Sequence, residues 1–371
     1  MQDLTFFQDT QDGQMRSLRA DAPRKGRGAV SNRESRFDRY QHQAVDDGWW
    51  QDEPVSGVAT QTLVDDSRTI ISTNNSPDIP FNQSINPYKG CEHGCIYCYA
   101  RPSHAYWDLS PGLDFETRIL IKPNAAELLR KTFAKSSYRC QVVTVGANTD
   151  PYQPLERELR TTRQILEVLQ EHQHPFSIIT KSALILRDID ILADMAADNL
   201  CSVAVSITTL DDNLKRVMEP RTGSGGARLR SVERMAGTGI PVTVMAAPMI
   251  PMINDHELEA ILDAANSAGA SAIGYIFLRL PLEVRQLFVE WLETHFPLRS
   301  KHVMSIIRQS RDGLDYQPRF GERMRGTGVF ADLLNSRFKI ACKRLGYPPD
   351  RRFELDISRF RAPHPQLSLF D

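Results

Sequence analysis

From residue 141 onward the chain alternates between short apolar runs and segments whose apolar positions recur with helical spacing. The runs at 141–146, 176–180, 202–207, 242–247 and 272–278 are rich in Val, Ile and Ala. None alternates strictly between apolar and polar, which is the pattern of strands covered on both faces. Helical spacing marks 124–134, 160–171, 185–198, 229–236 and 257–268 between them, with Pro241 and Asp255 at element boundaries. Counting the strand that leads into residue 91, the pattern predicts an α/β fold of six strand–helix units. Helices are expected over 282–296, 301–311 and 328–343. This gives four regions: a polar extension over 1–75, a core over 76–281, a helical region over 282–350 and a tail over 351–371.

Charge changes the picture only locally. The 371 residues carry 45 basic and 46 acidic side chains, so the whole-protein field announces no polynucleotide partner. The stretch 16–39 is different: Arg16, Arg19, Arg24, Lys25, Arg27, Arg33, Arg36 and Arg39 face few acids. Such an arm reads either as a disordered, solvated tail or as a binder of phosphates or partners. Trp49, Trp50 and the segment 62–72 are expected to begin packing on the core. No run approaches the length of a transmembrane helix, which predicts no membrane partner. Neither an export signal nor a disulfide spacing is visible, so reduced thiols and a cytoplasmic location are expected.

Chemistry concentrates in Cys91-Glu-His-Gly-Cys95-Ile-Tyr-Cys98-Tyr, which places three cysteines in eight residues. Three thiolates at this spacing can wrap three corners of an iron–sulfur cube and leave the fourth iron without a protein ligand. Zinc is the alternative, with His93 inside the loop, but tetrahedral zinc sites usually draw on a second, distant pair. Cys140, Cys201 and Cys342 are scattered singly. Gly90 and Gly94 suit a loop folded tightly around a cofactor.

The C-x3-C-x2-C spacing followed by an aromatic resembles the signature of the radical S-adenosylmethionine (SAM) superfamily. That resemblance implies an open six-stranded (β/α)6 partial TIM barrel, a 4Fe-4S cluster on Cys91, Cys95 and Cys98, and SAM chelating the fourth iron. It implies reductive cleavage of SAM to a 5′-deoxyadenosyl radical, fed by an electron donor such as flavodoxin or ferredoxin. Active sites of parallel barrels gather at the C-terminal ends of the strands. There the chain places Gly146-Ala-Asn148-Thr-Asp150-Pro-Tyr152, then Thr180-Lys181, Ser206 and Arg279. Asn148 and Asp150 are candidates for the SAM ammonium. Thr180-Lys181, Ser206-Ile207, Glu219-Pro220-Arg221-Thr222 and Ala247-Pro248 narrow the resemblance to the spore photoproduct lyase branch. The match implies SAM contacts from Tyr97, Tyr99, Lys181 and Ser206. The branch carries a hydrogen-donating cysteine three residues before the aspartate; Ala147 stands at that position here. Cys140 precedes its strand and is expected at the opposite end of the barrel, and Tyr152 reads as structural. The chain thus keeps the initiating residues and changes the substrate step.

The C-terminus ends Gln366-Leu367-Ser368-Leu369-Phe370-Asp371. Exposed apolar side chains of this kind call for a partner. The pentapeptide resembles the motif by which bacterial polymerases and repair proteins dock on the DNA sliding clamp. Gln366, Leu367, Leu369 and Phe370 would make that contact. The leading expectation is a radical SAM enzyme acting on nucleic acid, in DNA repair. Radical chemistry on a peptide, tRNA or metabolite is a second reading, and a non-catalytic iron–sulfur or zinc scaffold is a third.

Overall fold

In the computed structural model, residues 24–37, 59–348 and 353–363 are described. The strands in chain order are β1 (Gln61–Val64), β2 (Ile71–Thr73), β3 (Gln83–Ile85), β4 (Tyr88–Lys89), β5 (Arg118–Ile121), β6 (Val143–Val145), β7 (Phe176–Thr180), β8 (Cys201–Ser206), β9 (Val242–Met249) and β10 (Ala272–Phe277). Six of them, β3, β6, β7, β8, β9 and β10, pair in parallel and in sequence order, and β2 closes the β3 edge antiparallel. Helices Ala125–Phe133, Thr161–Glu171, Ile189–Ala197, Gly225–Gly237 and Leu258–Ser267 follow the strands in turn. Each of the six parallel strands therefore ends at the same mouth. Its core is Val, Ile and Leu on the strands against one stripe of each helix, Ile165, Leu166 and Leu169 among them, all fully buried. At about 25 cal/mol per Å² of apolar surface, such burial is the main term holding the barrel.

Several expected boundaries move for identifiable reasons. The run at 141–146 shortens to β6, and 185–198 divides into a 3-10 turn over Ala183–Asp188 and a helix. The stretch read as 229–236 begins earlier, at Gly225, because Ser224 caps it through the Ala227 amide. An unforeseen helix, Asp212–Met218, is capped by Asp211, whose side chain accepts from Asn213 N. A division at residue 75 would cut the β2–β3 hairpin, and β1 pairs with β5 inside the core, so the extension is not separate from the barrel. A small second sheet, β1-β5-β4, flanks the cysteine loop.

The basic arm is corrected most. Residues 24–37 pack as a strap, with Ala29, Val30, Ser31 and Ser35 buried. Arg33 pairs with Glu290, and Arg36 Nη1 lies 3.0 Å from Glu283 Oε1, both acids on or beside the helix Val284–His295. Arg16, Arg19, Arg39, Trp49 and Trp50 lie outside the described residues. At the other end, residues 353–363 fold back onto the barrel. Phe360 stands edge-on to Phe133 and His174 at 5.3 and 5.1 Å, and Arg361 N donates to His172 O at 2.8 Å. Gln366, Leu367, Leu369 and Phe370 lie beyond the described residues.

Candidate cluster site at the mouth of the barrel

The cysteine loop leaves β3 at the mouth and is held by its backbone on three sides. Cys91 N donates to Phe115 O at 2.8 Å, Ile96 N to Met218 O at 3.1 Å, and buried Arg101 donates Nε to Cys95 O at 2.9 Å. Gly94 has φ +67°, and a Cβ there would meet the Glu116 carboxylate at 2.7 Å, so only glycine fits. Arg101 and Glu116 form a fully buried ion pair under the loop. Glu116 also accepts from Gly28 N on Oε2 at 3.0 Å and from Ala29 N on Oε1 at 2.8 Å. The strap thus presses on the outer side of the loop, so closely that a Cβ on Gly28 would lie 1.8 Å from Gly94 O.

Glu92, between the first two cysteines, ties the loop to the next strand's turn. Its amide donates to Gln153 Oε1 at 2.8 Å, and its carboxylate accepts from Leu155 N at 2.7 Å and Thr60 Oγ1 at 2.6 Å. Arg221 Nη2 lies 3.1 Å from the same carboxylate. Asp150 does the same for the strand ends. It accepts from Tyr152 N at 2.9 Å, Thr180 Oγ1 at 2.7 Å and Lys181 N at 2.7 Å, with His93 Nδ1 3.3 Å away. Burial opposes its charge, yet His93 and the Lys181 and Thr180 donors hold its carboxyl down at about 2. Asp150 is therefore a permanent anion that joins the loop, the β6 turn and the end of β7. Asn148 stands exposed on that turn, its backbone N on Asn86 Oδ1 at 2.8 Å.

Below the loop lies a second network. Tyr97 is buried, its hydroxyl on Glu219 and 3.2 Å from Thr208 Oγ1. Glu219 pairs with Arg228, both fully buried, and Arg228 also donates to Ser206 O at 2.9 Å and Thr222 Oγ1 at 2.6 Å. Burial would neutralise Glu219, but Arg228 and then Lys181 keep it ionised, at about 2. Lys181 Nζ sits 5.9 Å from the Tyr97 ring centroid. Tyr99 is 46% exposed, with its hydroxyl on Ala147 O.

Cys91, Cys95, Tyr97, Asp150, Lys181 and Ser206 are thus brought to one mouth. Tyr152 is fully buried and donates to Asp188 Oδ2 at 3.0 Å, a structural role, and Cys140 precedes β6 at the other end. Sequence reasoning quoted the Glu219–Thr222 run without giving it a task, and it missed Arg101, Glu116 and Glu92. The run's own charges were a signal for the first; Glu116 has no local signal, because its partners lie far away in sequence.

The donor set fits an iron–sulfur cube. Cys91 and Cys95 are buried and Cys98 half-buried. Burial first, then Asp150 and the two other thiols, push the Cys91 thiol well above its ordinary range. The three sulfurs are near enough to repel one another as thiolates, and bound metal removes that penalty. Among the described residues no three His, Cys, Asp or Glu side chains gather on a single-ion site, and His93 turns Nδ1 toward Asp150. A cube accepts thiolates more widely spaced than one tetrahedral ion does.

The family model for the radical SAM superfamily matches residues 85–265, from the end of β3 to the helix before β10. Residues 85–265 belong to the radical SAM superfamily. The chain is 36% identical over 225 residues to the uncharacterized protein Rv2578c of Mycobacterium tuberculosis, a stretch covering 60% of this chain and 66% of that protein. The chain is 27% identical over 213 residues to the uncharacterized protein MJ0683 of Methanocaldococcus jannaschii, 57% of this chain and 76% of that one. Among solved structures, spore photoproduct lyase complexed with dinucleoside spore photoproduct superposes with a TM-score of 0.54 and 14% identity, over 76% of this chain and 78% of that one. The radical SAM domain shares that fold, the open parallel barrel. Among the described residues no helix is long and apolar enough to cross a membrane.

Proposed function

We propose that this protein is a radical SAM enzyme that acts on nucleic acid, in DNA repair. The observation that carries the chemistry is a loop of three thiols, two of them buried, at the mouth formed by the strand ends that carry Asp150, Lys181 and Ser206. Bound to Cys91, Cys95 and Cys98, a 4Fe-4S cluster would supply the electron that cleaves SAM to methionine and a 5′-deoxyadenosyl radical. The chain's own residues do the rest. Lys181 offers an ammonium for the SAM carboxylate on the Cys95 side, where burial and then Glu219 push the thiol up to about 12 and the Lys181 charge opposes them. Asn148, exposed on the β6 turn, offers its amide oxygen to the SAM ammonium. The Glu219 and Thr208 contacts fix the Tyr97 ring beside Lys181, and the strap covers the outer side of the loop. Ala147 puts no thiol at the β6 turn, so a hydrogen returned to substrate comes from another donor.

The nucleic-acid assignment is supported by the shared fold with a lyase solved bound to dinucleoside photoproduct, and by the clamp-like tail. Gln366, Leu367, Leu369 and Phe370 would bring the enzyme to DNA by docking on the bacterial sliding clamp, and flavodoxin or ferredoxin would deliver electrons. Anaerobic reconstitution tests the chemistry: reduction should yield 5′-deoxyadenosine from SAM, lost in Cys95→Ala. Bound zinc without SAM cleavage would overturn it. Damaged DNA should stimulate turnover more than peptide or free nucleoside. Removing the last six residues should abolish retention on immobilised clamp; unchanged retention rejects the docking.

A further inference from the structure

A cation without a counter-charge stands just beyond β10. Arg279 Nε is buried and makes no hydrogen bond. Its other nitrogens reach only Met324 Sδ at 3.6 Å and the Tyr316 hydroxyl at 3.4 Å, and among the described residues no carboxylate pairs with it. The neighbouring guanidinium brings no relief. Arg311 is buried and spends its donors on the carbonyls of Leu278 at 2.7 Å and Glu322 at 3.0 Å, again without a carboxylate. Burial and then Arg279 lower its pKa to about 10, in keeping with uncompensated positive charge here. A buried donor left unmade costs on the order of 1–3 kcal/mol, so packing alone gives no reason to keep an arginine at this position.

Its place in the fold supplies a reason. The Arg279 guanidinium stands 5.3 Å from the centroid of the Tyr99 ring, and Tyr99 directly follows the last thiol of the cluster loop. The ring is 46% exposed. Lys181 stands beside the Tyr97 ring, where the reading above gives it the SAM carboxylate, and that leaves Arg279 for the substrate. A planar guanidinium fork matches two oxygens of a phosphate, and an exposed ring beside it can carry a base.

We infer that Arg279, with the Tyr316 hydroxyl and the open Tyr99 ring, forms a subsite for one phosphate diester of a polynucleotide substrate, set beside the cluster loop. This rests on the radical SAM reading above and deepens it. The test uses the full chain, reconstituted anaerobically, with fluorescein-labelled oligonucleotides of DNA and RNA followed by anisotropy across a salt series. Arg279→Ala should weaken binding about tenfold and reduce the salt slope by about 0.7–0.9, the loss of one phosphate contact. Arg279→Lys should restore the slope but only part of the affinity, because the fork is gone. Arg279→Met should raise the thermal midpoint, since it removes an unpaired buried donor; a structural arginine would lower it. A wild type that binds no oligonucleotide, variants that bind as the wild type does, or a lowered midpoint in Arg279→Met overturns the subsite. Loss of SAM binding by equilibrium dialysis, with oligonucleotide binding intact, would assign Arg279 to the SAM carboxylate and also overturn it. Iron content and 5′-deoxyadenosine formed by the wild type without oligonucleotide report separately on the radical SAM reading.

Discussion

At the residue scale the site is held by carboxylates that tie separate parts of the chain together. Asp150, Glu219, Glu116 and Glu92 each join two or more segments that are separate in sequence. Breaking a buried pair leaves its partner charged and unpaired, which costs about 3–5 kcal/mol. Glu219→Ala should therefore lower stability by about that much, read from urea midpoints, and the double variant Glu219→Ala with Arg228→Met should recover most of it. Gly28 makes a sharper case. Gly28→Val places a side chain onto Gly94 O, so the strap should lift and expose the bonds after Arg24 and Arg27 to trypsin, while barrel helicity by circular dichroism stays unchanged. Of this layer the sequence reveals the thiols and the strand-end residues, because their spacing is local. The clamps stay hidden, because Gly28 meets Glu116 and Ser31 meets Glu290 only after folding.

At the element scale the alternation of apolar runs and helical stripes was enough to place the six parallel strands, since strands covered on both faces leave that mark. Caps were the weaker part: Ser224 and Asp211 start helices that hydrophobic spacing alone places late or overlooks. The segment after residue 352 shows another limit. Phe360 is half-buried against Phe133, Tyr138 and His174, contacts that no periodicity announces. His174 stacks on Phe133 at 4.7 Å and meets the Tyr138 hydroxyl at 2.7 Å through Nε2. Burial lowers its pKa to about 4 from the ordinary 6.5. The folded value lies below the unfolded one, so the native state is fully favoured above about pH 6.5 and loses stability as pH falls toward about 4. Hydrogen exchange of 353–363 should accelerate across that window, and His174→Phe should flatten the dependence. An exchange rate indifferent to pH, after correction for intrinsic rates, would contradict the packing described.

At the scale of the whole molecule, near-zero net charge conceals local organisation. Arg33 and Arg36 of the strap are spent on acids on or beside the helix Val284–His295, while Arg279 at the mouth is spent on none. A chain lacking residues 1–37 should keep its barrel yet bind less iron after reconstitution, measured as iron per chain, and lose it faster in air. Equal retention would show that the strap is decorative. The strap also sets an order of events during synthesis. Its residues leave the ribosome early, but the acids that receive it, Glu116, Glu283 and Glu290, follow up to about 260 residues later. Until the helix Val284–His295 has emerged, the outer side of the cysteine loop stays open to whatever delivers iron and sulfide. Once it has, the latch can close. A segment made before the barrel is in this way fixed only after it, and the interval between the two is the window in which the cofactor can be installed.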